Sequence, residues 1–189
     1  MSKFFNILAP VYEKLHPGAK TTFNKIHQIG DFRASDIVVD VGGGTGRIAQ
    51  FFIGKVARIV VVDVSEKMLS QCRKKHPELA CMAGTGENIP LPNESADKII
   101  LVDAFHHMAD HPQVIREIKR VLRSGGTAII AEFNPATIGG KLIGVFEGLL
   151  RFDSIFYKPQ SLADMFAAQN FNIEIFDERK RDYYIVARK

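Results

Sequence analysis

From about residue 36 onward, short apolar runs alternate with segments whose apolar residues recur every three or four positions. This alternation predicts strands and helices in turn. The run 37–41 is largely apolar and β-branched and ends at glycines, which is typical of a buried parallel strand. Further strands are predicted at 58–63, 80–83, 98–102, 127–132, 171–176 and 183–187. Helices are predicted at 46–55, 65–76, 114–122 and 161–169, and Gly125-Gly126 is expected to end the third.

Strand–helix alternation of this length predicts an α/β fold, a three-layer α/β/α sandwich with a seven-stranded, mostly parallel sheet. The last two strands are separated only by a short turn near 178–181, which permits an antiparallel pair but no parallel crossover. The 189 residues predict a single domain. Its expected parts are N-terminal helices covering the site (1–34), a cofactor-binding core (35–135), a substrate-side insertion (136–160), and a final helix and strand pair (161–189).

The composition, 46% hydrophobic and 24% charged, is that of a globular protein. The net charge of +4 is dispersed, and the basic groups 73–75 and 179–181 have acids nearby, so no nucleic-acid partner is expected. Two cysteines form neither a disulfide framework nor a zinc site. No apolar run is long enough to span a membrane and no signal peptide is evident, which predicts a cytoplasmic protein.

The first strand runs into Asp-Val-Gly-Gly-Gly-Thr-Gly at 40–46, which fits D-x-G-x-G-x-G through Asp40, Gly42, Gly44 and Gly46. A glycine-rich turn of this kind lets a ligand approach the backbone closely. Dinucleotide-binding proteins place a third glycine where this chain has Arg47, and no Gly-Lys-Ser/Thr follows to make a P-loop. An acid at the strand end favours a cationic ligand over a pyrophosphate, because carboxylate and phosphate repel each other.

Asp63 ends the second strand, where a carboxylate can accept hydrogen bonds from both hydroxyls of a ribose. The two acids and the glycine loop therefore indicate a ligand that carries a ribose and a positive charge but no phosphate. S-adenosylmethionine (SAM) meets this description through its sulfonium and ammonium groups.

These motifs resemble those of the class I SAM-dependent methyltransferases, over roughly residues 35–135. Residues 40–46 resemble the family's first motif, 62–69 its ribose motif and 84–92 the loop that closes over adenine. Residues 5–13 are similar to the N-terminal F-x-x-L-A-P-x-Y-D of the ubiquinone/menaquinone-biosynthesis type. The resemblance implies SAM as cofactor and S-adenosylhomocysteine as product. It also implies that the following residues contact the cofactor: Tyr12, Asp40, Gly42, Gly44, Gly46, Asp63, Val64, Met68, Thr85, Gly86, Glu87 and Asp103.

One of these positions departs from the family pattern. Thr85 stands where the family has an acid that accepts a hydrogen bond from the adenine amine, and a hydroxyl accepts that bond more weakly. Met68 could equally be a core residue.

His106 and His107 follow the fourth strand, at the sheet edge where ligands bind in open α/β sheets. They are the candidates for a catalytic base, since imidazole titrates near neutrality. The alternative is that they cap the loop or bind the cofactor's carboxylate. His107 and His111 have zinc-binding spacing, but Pro112 disfavours helical geometry at His111, so no metal is expected.

The segment 138–156 is apolar, with a stripe formed by Leu142, Ile143, Phe146, Leu149 and Leu150. It is either a core helix, a lid over an apolar substrate, or a helix that contacts a membrane surface peripherally. The hypothesis is a SAM-dependent methyltransferase that acts on a small, hydrophobic or aromatic acceptor by in-line displacement. A non-catalytic SAM-binding regulator remains open. An NAD-dependent oxidoreductase and an RNA methyltransferase are less favoured, and the oligomeric state is undetermined.

Overall fold

The computed structural model describes residues 18–149 and 154–189. Its α-helices are α1 (Ala19–Ile29), α2 (Glu66–Lys75), α3 (His111–Val121), α4 (Ile138–Leu149) and α5 (Pro159–Ala167). Its strands are β1 (Ile37–Val41), β2 (Arg58–Asp63), β3 (Ala80–Ala83), β4 (Ala96–Val102), β5 (Leu122–Phe133), β6 (Asn172–Phe176) and β7 (Asp182–Arg188). Short 3₁₀ helices cover Ala49–Phe52 and Phe105–His107.

Within the described residues, seven strands form one sheet in the order β3-β2-β1-β4-β5-β7-β6. Neighbouring strands from β3 to β5 are parallel, whereas β7 is antiparallel to both β5 and β6. The predicted fold class, including the antiparallel pairing near the C-terminus, is confirmed. The chain leaves β1 toward β2 on one side and returns to β4 on the other. Such a reversal of strand order opens a crevice at the carboxyl ends of the strands.

Apolar side chains cover both faces of the sheet and form two cores. On one face Phe23 and Ile26 of α1 pack with Phe52 and Leu69. On the other face residues of α3 and α5 pack on the sheet, among them the fully buried Phe166. Helices α1, α2, α3 and α5 each bury one apolar stripe, as the three-to-four-residue spacing requires. The two cores hold the strands in place, so the carboxyl ends of β1, β2 and β4 form a rigid platform.

The predicted helix at 46–55 is wrong, because this stretch contains only the 3₁₀ helix Ala49–Phe52. Gly46 and Gly54 adopt left-handed φ values of +80° and +72°, which leaves too few residues between them for an α-helix. Phe51 and Ile53 donate their N–H groups to carbonyls three residues back rather than four. The short connection keeps the glycine loop close to the sheet.

The predicted end of the third helix at Gly125-Gly126 is also wrong. Helix α3 ends at Val121, and strand β5 begins at Leu122, which pairs with Ala96 of β4 and is fully buried. Gly125, at φ +75°, donates its N–H to the carbonyl of Lys189. The glycine pair therefore shapes the start of a strand. Helix α3 in turn begins earlier than predicted, at His111, because Asp110 caps it through the N–H of Gln113.

The apolar segment after β5 forms helix α4, whose exposed apolar residues include Ile138, Leu142 and Val145. Gly140 is required there by space, since a Cβ at this position would lie 1.9 Å from the carbonyl oxygen of Asn134. No helix within 18–149 or 154–189 combines the length and apolar character needed to cross a membrane. The N-terminal residues 1–17, with Tyr12, lie outside the described residues.

We expect Gly46→Ala to destabilise the protein far more than Gly54→Ala. Both glycines have left-handed φ values, which cost an alanine about 1–2 kcal/mol. A Cβ at Gly46 would also lie 2.8 Å from both Cys72 Sγ and Leu79 Cδ1, whereas Gly54 faces open space. Overpacking adds about 1–3 kcal/mol at Gly46 alone. Urea unfolding of the two variants measures the difference, and equal losses would show that the packing around Gly46 yields without cost.

Candidate functional site

A cavity of about 370 Å³ opens at the carboxyl ends of the parallel strands, where the reversal of strand order predicts a ligand site. Its lining residues come from the end of β2, from the loops that follow β1, β2, β3 and β4, and from α2. They are Gly42, Gly44, Asp63, Val64, Met68, Gly84, Thr85, Gly86, Glu87, Asp103, Ala104, His107, Met108 and Ala109. Most of the cofactor-binding residues predicted from the sequence therefore meet in one place.

The glycine loop lies flat against the neighbouring strands. The N–H of Gly42 donates to the carbonyl of Val62, 2.7 Å away. Gly42 and Gly44 adopt left-handed φ values of +75° and +56°, and a Cβ on Gly42 would lie only 2.6 Å from Ala104 Cβ. Only glycine allows this approach, so the loop presents bare backbone to the cavity.

Asp63 connects the glycine loop to the start of α2. Its Oδ2 accepts the N–H of Gly44 at 2.9 Å, and its Oδ1 accepts the N–H of Ser65 at 2.8 Å. Burial raises the pKa of Asp63, and these backbone hydrogen bonds lower it in part. Each carboxylate oxygen has two lone pairs, so both can still accept a ligand hydroxyl.

Asp40 lies beneath the glycine loop and does not line the cavity. Its carboxyl carbon is so close that a Cβ on Gly43 would lie 2.6 Å away. No residue in the described part of the chain donates a hydrogen bond to Oδ2, although the atom is fully buried. Burial raises the pKa of Asp40 to about 7, and Asp63 adds to this while Arg47 opposes it. A buried carboxylate with an unused oxygen favours a positive charge nearby.

Arg47 occupies the position where dinucleotide-binding proteins have a third glycine. No role for this residue was predicted from the sequence. Its guanidinium is buried and donates to Asp103 Oδ2 at 2.9 Å. Asp103 lines the cavity with a left-handed backbone, φ +52°, after the end of β4. Burial raises the pKa of Asp103, while Arg47 lowers it. The ion pair thus joins the loop after β1 to the loop after β4 across the cavity floor.

Val64 and Thr85–Glu87 form the side of the cavity where the resemblance places adenine. Val64 is 56% exposed, whereas Met68 is almost fully buried yet still reaches the cavity wall. Glu87 Oε1 accepts the N–H of Ala109 at 2.8 Å, which ties the 84–92 loop to the chain before α3. Burial raises the pKa of Glu87, but hydrogen bonds outweigh this effect, so that its pKa is lowered overall.

His106 and His107 differ in their surroundings. His107 lines the cavity, whereas His106 lies behind it and is fully buried. His106 Nδ1 lies 2.5 Å from Glu132 Oε2, and its Nε2 lies 3.1 Å from Nε2 of His107. His107 Nδ1 in turn lies 3.0 Å from Ser154 Oγ. Glu132 and Ser154 were not identified from the sequence, because each is a single residue far along the chain from the histidine pair.

His111 belongs to the core, not to the cavity. It is the first residue of α3, so the expectation that Pro112 disfavours helical geometry there is wrong. Proline is tolerated in the first turn of a helix. Its Nε2 bonds the carbonyl of Phe105 at 2.9 Å and its Nδ1 bonds Tyr157 Oη at 3.2 Å. In the described ranges no three metal-binding side chains cluster closely enough to hold an ion.

Residues 39–130, about half of the chain, match the model of a methyltransferase domain family. An uncharacterized methyltransferase-like protein of Schizosaccharomyces pombe is 37% identical over 93 residues, which cover 49% of this chain and 36% of that protein. The demethylmenaquinone methyltransferase of Streptomyces griseus is 30% identical over 107 residues, which cover 57% and 46%. The chain therefore spans less than half the length of these relatives.

A solved structure from Thermotoga maritima, described as a SAM-dependent methyltransferase and possible histamine N-methyltransferase, superimposes with a TM-score of 0.85. The superposition covers 100% of both chains at 20% sequence identity, so it shows the shared fold alone. Through the domain match over residues 39–130 the chain belongs to a methyltransferase domain family, and the superposition shows that it has the fold of a SAM-dependent methyltransferase.

Proposed function

We propose that this chain transfers a methyl group from SAM to a small, hydrophobic or aromatic acceptor. The observation that carries the proposal is one cavity that joins the glycine loop and the Asp63 carboxylate to the imidazole of His107. A cofactor held by the loop would thereby have an acceptor and a titratable group within the same space.

The residues present fit SAM. The bare backbone of the glycine loop admits close contact, and Asp63 keeps lone pairs free for ribose hydroxyls. The Oδ2 of Asp40, which has no hydrogen-bond partner among residues 18–149 and 154–189, gives the loop a negative side that suits a cation. A cavity of about 370 Å³ also falls within the usual range for small-molecule sites, about 300–1,000 Å³.

When bound, SAM supplies an electrophilic methyl group on a positively charged sulfur. The task left to the protein is to hold the acceptor atom in line with that methyl group and to keep water out. Such positioning alone contributes several kcal/mol to catalysis, about 7–11 kcal/mol in the best-oriented cases. The Arg47–Asp103 pair and the Asp63 hydrogen bonds serve this purpose, since they fix the loops that line the cavity.

The proposed acceptor side is formed by α4 and by residues 155–156. Phe156 stacks on the ring of His106, with centroids 4.6 Å apart, and Phe133 lies beside both rings. Ile138, Leu142, Val145 and Ile155 expose further apolar surface. An apolar or aromatic acceptor fits these surroundings better than a charged one. The similarity to a demethylmenaquinone methyltransferase also supports a small-molecule acceptor.

We expect Asp63→Asn to weaken binding of both SAM and S-adenosylhomocysteine about 10- to 100-fold, because hydrogen bonds to a charged group contribute about 1.5–3 kcal/mol. Titration calorimetry measures the dissociation constants of both adenosyl ligands, with NADH as the control ligand. Glu66→Gln is the matched control, since Glu66 is an acid three residues later that pairs with Arg73 away from the cavity. Failure of the unmodified protein to bind either adenosyl ligand would refute the proposed function.

We expect Asp40→Asn to stabilise the ligand-free protein while weakening SAM binding. The pKa of Asp40 rises from 3.8 to about 7 on folding, so the native state loses stability as pH increases from about 4 to about 7. The asparagine avoids this loss of stability. At about 1.4 kcal/mol per pKa unit, the loss amounts to roughly 4 kcal/mol at pH 8.

Urea unfolding at pH 5 and pH 8 tests this expectation, with the exposed Asp164→Asn as control. The gain should be larger at pH 8 than at pH 5. A variant that loses stability equally at both pH values would show that Asp40 is satisfied as a carboxylate.

A further inference from the structure

Four side chains form a continuous hydrogen-bonded path that leads from a buried acid toward the cavity. It runs from Glu132 on β5 through His106 to His107 and ends at Ser154, with separations of 2.5, 3.1 and 3.0 Å. Glu132 and His106 are at least 96% buried, whereas His107 lines the cavity. A charge placed on the path is therefore shielded from water at Glu132 and reaches the ligand space at His107.

The hydrogen bonds of Glu132 fix the direction of this path. Its Oε1 accepts the backbone N–H of Phe105 at 2.9 Å and that of His106 at 3.4 Å, so Oε2 is the oxygen that faces the imidazole. The tautomer assigned to His106 from these contacts carries its proton on Nδ1 and donates it to Oε2. Its bare Nε2 accepts the Nε2–H of His107, which leaves His107 Nδ1 as an acceptor for the hydroxyl of Ser154.

The chain before α5 holds both rings in place. The N–H of Ile155 donates to the carbonyl of His106 at 2.9 Å, and Phe156 stacks on the His106 ring at 23°. The hydroxyl of Tyr157 bonds His111 in the core. Residues 154–157 thus lock the orientation of the histidines, and the atom that this segment offers to His107 is a hydroxyl.

We infer that Glu132, His106 and His107 form a proton relay, and that the acceptor carries a hydroxyl group whose oxygen receives the methyl group. Ser154 marks the side on which His107 receives a hydroxyl. The inference rests on the proposed function and adds to it the nucleophile and the base. His107 is the catalytic base, while Glu132 and His106 are positioning residues that act through it.

The acceptor hydroxyl takes the place of the Ser154 hydroxyl at His107 Nδ1. Its O–H bond breaks and the proton passes to Nδ1, while the electron pair that stays on oxygen forms the new O–CH₃ bond. The C–S bond of the donor breaks, and its electron pair neutralises the sulfonium. The added positive charge remains on the two imidazoles, where His107 can pass its Nε2 proton to His106. Glu132 then faces an imidazolium, a buried pair of opposite charges.

Other titratable groups surround the relay. Asp103 lies on the cavity side with its partner Arg47, and it is close enough to the relay that Glu132 raises its pKa and His106 lowers it. His111 lies on α3 beneath Phe105, and Tyr183 on β7 faces Glu132, whose charge raises the pKa of that tyrosine further. Glu87 contributes a second carboxylate near His111. A pH dependence of the methyl-transfer rate can therefore be assigned to the relay only by comparing variants of the relay residues themselves.

The first test needs no acceptor. Long-range ¹H–¹⁵N NMR of the full chain, labelled with ¹⁵N-histidine, reports which ring nitrogen carries the proton. We expect Nδ1–H for His106 and Nε2–H for His107. Glu132→Gln should reverse the tautomer of His106, because the amide NH₂ donates to Nδ1, whereas the exposed Glu174→Gln should not. The opposite tautomers in the unmodified protein would overturn the relay, as would an unchanged His106 in Glu132→Gln.

The second test compares phenol with 4-nitrophenol at pH 8, where 4-nitrophenol is largely ionised without help from a base. His107→Gln should lose at least about 100-fold in kcat/KM toward phenol, the usual size of a general-base contribution, and change little toward 4-nitrophenol. His27→Gln, a histidine on α1 away from the cavity, is the control. Equal losses on both phenols would overturn the base role.

Glu132→Gln should lower the rate with phenol and shift the acid limb of the pH–rate profile to lower pH, because the carboxylate no longer stabilises the imidazolium. Glu132→Asp should restore part of the rate and of the shift. A lower rate with an unmoved limb would assign Glu132 a merely structural role and overturn the relay. Circular dichroism confirms that each variant is folded.

The product identifies the atom that is methylated. An O-methyl ether supports the inference, whereas methylation of a ring carbon, or turnover of amines alone, overturns it. If no hydroxyl-bearing acceptor is methylated although SAM binds, the inference that the acceptor carries a hydroxyl group is overturned. Failure of SAM to bind refutes the proposed function instead, and calorimetry separates the two results.

Discussion

The Asp63 carboxylate is the contact on which the geometry of the cavity depends. It joins three pieces of backbone, the end of β2, the glycine loop and the start of α2, through hydrogen bonds to Gly44 and Ser65. The glycine loop has no helix behind it to fix its position, since only a short 3₁₀ helix follows. A single side chain with two oxygens therefore replaces the support that regular secondary structure gives elsewhere. The same oxygens remain available to a ligand, so loop geometry and ligand binding are coupled.

Four acids, Asp40, Asp63, Asp103 and Glu132, lie close together at one end of the sheet, and burial is costly for each of them. Different groups offset the cost of burying each carboxylate. Asp103 has Arg47, Glu132 has His106 and two backbone N–H groups, and Asp63 has the loop. Only Asp40 keeps an oxygen without a partner among the described residues. The site is thus arranged so that a bound cation completes its electrostatics, at some expense of stability in the ligand-free protein.

The sequence predicted those features that depend on neighbouring residues. Strand β1, the glycine loop and Asp63 lie within one stretch of chain, so their spacing was sufficient to place them. The helix at 46–55 was predicted wrongly, because left-handed glycines at both ends override the helical pattern between them. The roles of Arg47, Glu132 and Ser154 depend on partners 56, 26 and 47 residues away, and no local pattern reports such pairs. Tyr12 stays a prediction, since it lies outside the described residues.

The cavity lies within the part of the chain that is similar to known methyltransferases, whereas part of the proposed relay lies outside it. Every described residue that lines the cavity lies between Gly42 and Ala109, within the stretch 39–130 that matches the methyltransferase family. Glu132 and the segment 154–157, which complete the proposed relay, lie beyond it. Similarity over 39–130 therefore supports the cofactor but does not transmit the acceptor of any relative to this chain. The acceptor must be inferred from the chain's own residues, and there the hydroxyl of Ser154 against His107 is the most direct guide.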